Sequence, residues 1–325
     1  MKWMVQLLAV LLLVSLSSCM KDDLEDCGVK IRFRYTYNMK NADAFIEEVS
    51  AVKVWLFDEA GKLVEVFGKQ QLEQDPVLRL PHQPEGSYTL VAMAKSGDET
   101  GEYADFEVPD LSPGAPIDRL WARLQRDERS TNTCRLNTWL MGMLAVELTG
   151  EAQQLVMDMM KCTHRLRILL VPITEEAPVD ADSFDFWIEG RNGWLAYDAT
   201  TYREEPIVYR PYYQTVIRES KSGSRQENVV HQAIVAELST SRLIYELEPR
   251  LKIRHREQNM EFMDINLTGL LSLQAIQEHQ QEWSRQEYLD RQDEYTLTFL
   301  MDGSTWMQGK IIVNGWVLTL RDVGL

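Results

Sequence analysis

The chain is expected to be all-β, with two β-sandwich domains in tandem and a minor helical segment in the second. Three observations carry this expectation. Runs such as VKIRFRYTY, Val29 to Tyr37, alternate apolar and polar residues, the signature of a half-buried strand. Short Gly, Asn-Gly and Asp-Gly turn signals separate many of these runs. The plan of the first half also recurs in the second. Cys27-Gly-Val-Lys-Ile-Arg-Phe compares with Cys162-Thr-His-Arg-Leu-Arg-Ile, and VKVWLFDEAGKLVEV compares with FDFWIEGRNGWLAYD at a near-equal offset.

Taken in order, Ile31, Phe33, Tyr35 and Tyr37 share one face of the first strand, with Arg32, Arg34 and Thr36 on the other. Val52 to Asp58 and Lys62 to Phe67 form a hairpin around Glu59-Ala60-Gly61. Gly86 to Ala94 is a further strand after the turn region of Pro81 and Pro84. The join between the halves falls near Met160, inside the apolar segment Val156 to Val171, so the domains abut without a loose linker. In the second half Phe184 to Asp198 reads as a hairpin, with Asn192-Gly193 as a type I′ turn. Asn228 to Leu238 and Ser241 to Ile253 read as strands, the latter interrupted at Pro249. Leu270 to Glu287 is rich in Leu, Gln and Glu without Gly or Pro, and predicts the helix. Tyr295 to Leu320 closes the chain with a hairpin at Asp302-Gly303. Asn314-Gly315 is either a second hairpin or a bulge in one long strand.

The N-terminus carries one positive charge, Lys2, then the apolar run Gln6 to Leu16. That run is shorter than the roughly 20 residues a permanent membrane span needs, and reads as a secretory signal peptide. Leu16-Ser-Ser-Cys19 resembles the bacterial lipobox, which predicts cleavage before Cys19, diacylation of its thiol and acylation of its freed amine, palmitate being one such chain. Several acyl chains exceed the single chain that gives only marginal, reversible anchoring. Lys21, Asp22 and Asp23 resemble the acidic tag that sends some Gram-negative lipoproteins to the outer face of the outer membrane. The expected organisation is a signal peptide at 1–18, a lipidated acidic tether at 19–28, and β-sandwich domains at 29–160 and 161–325.

Composition limits the function. The 325 residues are 45% hydrophobic and 26% charged, an ordinary globular balance. The formal charge of −16 argues against nucleic acid and against electrostatic docking on anionic lipid. No Gly-x-Ser-x-Gly elbow, phosphate loop or dinucleotide fingerprint occurs, and no enzyme is expected. The 5 histidines, His82, His164, His231, His255 and His279, are scattered, so neither a metal site nor a cofactor is expected. The acidic pairs Glu47-Glu48, Glu175-Glu176 and Glu204-Glu205 sit beside turns or helix starts and read as solvated faces. Trp55, Trp187 and Trp194 fall inside strand patterns and read as packing groups. With Cys19 lipidated, Cys27, Cys134 and Cys162 allow one bridge at most, and the pairing stays open.

The stretches Cys19-Met-Lys-Asp-Asp-Leu-Glu-Asp-Cys27, VKIRFRYTYN, VKVWLFDEAGKLV, GSYTLVAMA, Gln286 to Leu300, and Ile311-Ile-Val-Asn-Gly-Trp316 together resemble the FimB-type fimbrial anchor lipoproteins of type V pili. The resemblance departs at Gly28, where a proline commonly follows the cysteine. It implies transthyretin-like sandwiches and an outer-membrane lipoprotein, held by lipid on Cys19, that anchors a fimbria. Its partners would be fimbrial pilin subunits, joined by β-strand complementation. On this reading the last strand carries the contact, through Lys310, Ile311, Ile312, Val313, Trp316, Val317, Leu318 and Leu320. Alternatives are a surface glycan-binding lipoprotein, or an accessory or tip subunit.

Overall fold

The structure is a computed structural model that describes residues 28–74, 76–96, 105–173, 179–220, 230–278, 283–302 and 305–319. The signal peptide, Cys19, the tag residues Lys21, Asp22 and Asp23, Cys27 and Leu320 lie outside these residues.

The first half runs β1 (Val29–Arg34), α1 (Phe45–Glu48), β2 (Ala51–Asp58), β3 (Leu63–Gln70), β4 (Val77–Arg79) and β5 (Gly86–Lys95). It continues through β6 (Phe106–Glu107), β7 (Trp121–Leu124), β8 (Thr131–Asn132), β9 (Trp139–Leu148), β10 (Gln153–Asp158) and β11 (Met160–Lys161). The second half runs β12 (Thr163–Pro172), β13 (Phe184–Gly190), β14 (Trp194–Ala196), β15 (Ile207–Tyr209), β16 (Tyr213–Ser220), β17 (Val230–Ser241), β18 (Arg250–His255) and β19 (Met260–Asn266). Two helices follow, α2 (Leu267–Glu278) and α3 (Arg285–Arg291), then β20 (Glu294–Asp302), β21 (Thr305–Val313) and β22 (Trp316–Thr319).

The protein is mostly β, as the alternation predicts. In β1, Ile31 and Phe33 are buried while Arg32 and Arg34 are exposed. Tyr35 is buried in the same row, whereas Tyr37 is half-buried beneath the Arg291 guanidinium. The β2–β3 hairpin forms because Gly61 takes a left-handed φ of 68° and Asp58 Oδ1 accepts the amides of Ala60 and Lys62.

A three-stranded sheet, β10-β1-β4, faces a five-stranded sheet, β11-β9-β5-β2-β3. Ile31, Phe33, Val54, Leu56, Leu90 and Met157 fill the space between them. In the second half a six-stranded sheet, β16-β17-β12-β20-β21-β22, faces β19-β18-β13-β15-β8 across Leu166, Ile168, Phe186, Ile253, Leu297 and Phe299. Burying each such side chain contributes about 1.5–3 kcal/mol, which makes these clusters the main source of stability. The leading strand of each half has the same kind of neighbours. β1 lies parallel to β10 and antiparallel to β4, and β12 lies parallel to β20 and antiparallel to β17.

The halves also interlock. β14 pairs with β7, and β8 pairs with β15, so each half lends a strand to the other. The small sheet β14-β7-β6 covers one end of the outer face of the five-stranded sheet, burying Trp55, Phe57, Val91, Leu120 and Leu195.

Four expected elements differ. Ser241 to Ile253 is not a strand broken only at Pro249, because β17 ends at Ser241, Tyr245–Leu247 form a 3-10 turn, and β18 begins at Arg250. Phe184 to Asp198 is not a hairpin, because β13 and β14 join different sheets. Asn192 is buried instead. Its Nδ2 donates to the carbonyls of Ser241 and Arg242, and its Oδ1 accepts from the Tyr209 hydroxyl. The expected helix from Leu270 to Glu287 is α2 and α3, with Ser284 in an extended conformation capping α3 by accepting the Glu287 amide. Lys310 to Leu320 is not one strand. Asn314 and Gly315 have φ of 47° and 90°, the positive values of a type I′ turn, and fold the segment into the β21–β22 hairpin.

Candidate functional site

The β21–β22 hairpin forms one margin of the six-stranded sheet. Its register pairs Lys310 with Thr319, Ile311 with Leu318, Ile312 with Val317, and Val313 with Trp316. Ile311 and Val313 are buried in the protein's own core, which corrects the expectation that they face a partner. They are occupied because β21 pairs with β20, whose Leu297 and Phe299 share that core. Ile312 and Val317 point to the other face, where Val317 is 52% exposed. The register continues that face inward through Thr298, Leu169 and Val235 to Thr215. Among the described residues nothing pairs with the far side of β22, so its outward N–H and C=O groups are open to an added strand. β16 is the opposite margin, with Tyr213 and Ile217 exposed.

Between the halves lies a polar waist that the sequence did not announce. The Lys161 ammonium, almost wholly buried, stands 2.9 Å from Glu48 Oε2 and 2.5 Å from Asp293 Oδ2. Glu48 Oε2 also accepts from the Thr138 hydroxyl at 2.8 Å. The waist thereby ties α1, β11 and the turn before β20 together. Beside it Arg242 forms a two-pronged pair with Asp290, both bonds 2.7 Å, and donates to the Ala199 carbonyl. Asp290 sits on α3, so the helix is locked onto the seam.

His164 is buried at the head of β12. Its Nε2–H donates to the Leu289 carbonyl at 2.9 Å, and its Nδ1 has no partner. Burial pulls its pKa below the ordinary value, outweighing the backbone bond and the nearby carboxylates of Asp293 and Asp290 that raise it. Cys162 is fully buried, and burial pushes its thiol up to about 12. Cys134 and Cys162 are both free thiols, so neither bridges the other.

The remaining candidates resolve into packing. Trp55 and Trp194 are buried, and Trp187 is half-buried with its Nε1–H on Glu189. Glu48 and Glu205 are not simply solvated: Glu48 holds Lys161, and Glu205 bridges Arg123 and Arg126. Glu175-Glu176, His279 and their surroundings lie outside the described residues. Among the described residues no group of His, Cys, Asp and Glu is placed to hold a metal ion, and no helix is long and apolar enough to cross a membrane.

A family profile described as fimbrillin-A associated anchor proteins Mfa1 and Mfa2 matches residues 24–322. The chain belongs to this anchor family. Solved structures share the fold. A Bacteroides thetaiotaomicron protein described as a candidate adhesin is 26% identical over 91% of this chain and 98% of its own, with a TM-score of 0.77. A second from that organism, described as a candidate polysaccharide-binding protein, is 26% identical over 90% and 98%, with a TM-score of 0.76. The fimbrial anchor protein Mfa2 from Porphyromonas gingivalis shares the fold at 17% identity, a TM-score of 0.66, and 90% and 98% coverage. No curated protein sequence matches the chain.

Proposed function

We propose that the protein is a non-catalytic outer-membrane lipoprotein, held by acyl chains on Cys19 and facing the cell exterior, that fixes a fimbria to the cell. The observation that carries this reading is membership of an anchor family across residues 24–322. The lipobox-like Leu16 to Cys19 supplies the membrane attachment, and Lys21, Asp22 and Asp23 supply the outward address. A pilin subunit docks by strand complementation on the open margin at β22. The incoming strand satisfies the N–H and C=O groups there, and its alternate side chains pack beside Val317 and Ile312.

The test is a tagged surface protein pulled down from cells in gentle detergent. Pilin should come with the wild type and be lost when the β22 margin is blocked. Pilin that comes down equally well with a blocked margin removes the proposed docking place.

A second reading, glycan binding, is favoured by the 26% identity to a candidate polysaccharide-binding protein. It predicts retention on polysaccharide gels. The burial of Trp55, Trp139 and Trp194 gives it little support, since these rings are packed inside.

A further inference from the structure

β9 is ten residues long, but β11 covers only its beginning, pairing at Leu140 and Met141. Beyond that point no strand among the described residues pairs with its outer side. The ladder tells which groups are open. The Trp139 carbonyl accepts the Cys162 amide on that side, and the Glu147 carbonyl accepts the Gln153 side chain. Alternation along an antiparallel strand then directs the N–H and C=O of Met143 and Ala145 the same way, away from β5.

The side chains fit an unfinished edge. Met143 is 50% exposed, and Val156 on the adjacent margin strand β10 is 45% exposed. Leu144, Val146 and Leu155 face the core yet are only partly buried. Among the described residues no strand closes the sandwich along this side. A hollow of about 670 Å³ lies over the outer face of β9 and β5 as far as the β2–β3 turn, and one of about 190 Å³ lies beside Gly142 and Met160; the two share Met143 and Tyr197. Their walls carry the carboxylates of Asp58, Glu59, Glu147, Asp158 and Asp198, and among the described residues none of the lining is Lys or Arg. Arg34 pairs with Asp158, and Ser87 donates to Glu147, while Glu59 is exposed. The tether before Val29 is itself acidic, with Asp22, Asp23, Glu25 and Asp26, so it is mismatched to these walls.

We propose that the β9 edge from Met143 to Glu147 is a second docking site, which takes an extended peptide strand bearing Lys or Arg from a partner protein. The partner's backbone pairs with Met143 and Ala145. Its apolar side chains cover Met143 and the gap at Val146, and its basic side chains lie along the acidic hollows. The site is on the first half, so it stands whether or not β22 meets a pilin.

The test uses the detergent-solubilised full chain and fluorescent nine-residue peptides of alternating Lys and Val, or alternating Glu and Val, read by anisotropy. The Lys-Val peptide should bind at least about tenfold more tightly than the Glu-Val peptide. Ala145→Pro removes the outward N–H without breaking a β5 bond, and should weaken Lys-Val binding about tenfold or more. Glu147→Lys should shrink the preference for Lys-Val, and it decides the matter if Ala145→Pro fails to fold. Equal binding of both peptides, Lys-Val binding unchanged in both variants, or occupancy of the site by neutral oligosaccharide alone would overturn the proposal.

Discussion

Lys161 and Glu48 lie 113 residues apart in sequence and 2.9 Å apart in space. With Asp293, 132 residues from Lys161 on the other side, they join both halves at one buried ammonium. Removing that ammonium leaves two neighbouring carboxylates without their cation. Lys161→Met should therefore lower stability by about 3 kcal/mol, the low end for breaking a buried pair, because Glu48 and Asp293 keep some contact with water. Glu48→Gln leaves the Asp293 partner and should cost about 1 kcal/mol. Denaturant unfolding measures both, and equal small losses would mean that the waist contributes little.

Burial of Cys162 predicts its chemistry. With a thiol near 12, its thiolate fraction at pH 7 is about one in 10⁵. In the native Cys27→Ser protein, Ellman's reagent should reach the half-exposed Cys134 and spare Cys162 until denaturant is added. Rapid native labelling of Cys162 would show that the seam opens readily.

His164 makes stability depend on pH with a definite sign. Its folded pKa lies below the unfolded value, so the unfolded chain takes up the proton first. This group's contribution is fully present above about pH 7 and falls as the pH drops through the unfolded value of about 6.5. The unfolding free energy should therefore fall as the pH drops from 7 to 5.5. His164→Gln should flatten the unfolding free energy across that window, and an unchanged slope would place the titration elsewhere.

Val317 separates docking from folding. It is half exposed at the margin, so Val317→Lys should change stability by less than about 0.5 kcal/mol while reducing pilin capture. Ile311→Lys, one register position away but buried, should cost several times more and unfold much of the protein. Capture that is unchanged in Val317→Lys, by pull-down at matched expression, would remove β22 as the contact.

The strands that could be read from sequence are those where period and turn chemistry agree. β1, the β2–β3 hairpin and β5 show alternating or apolar runs next to Gly or Pro and lie close to where the pattern puts them, though β1 ends at Arg34 rather than continuing to Tyr37. Asn192-Gly193 carries an equally clear turn signal, yet its amide joins sheets through Ser241, Arg242 and Tyr209. Local sequence cannot distinguish a turn asparagine from a buried one whose partners are distant. The break before α3 was missed, although Ser284-Arg-Gln-Glu287 has the spacing of a capping box that could have shown it. The waist and the open side of β9 were not readable. Each depends on which strands become neighbours, and that is decided by topology between residues far apart in the chain.

The most direct test of the anchor reading replaces Cys19 with alanine in cells and counts fimbriae that remain attached. The thiol that would hold the lipid is then absent, while the sandwiches and the β22 margin are untouched. The protein and whole fimbriae should both pass into the medium. Fimbriae that remain cell-bound, in unchanged number and length, would contradict it.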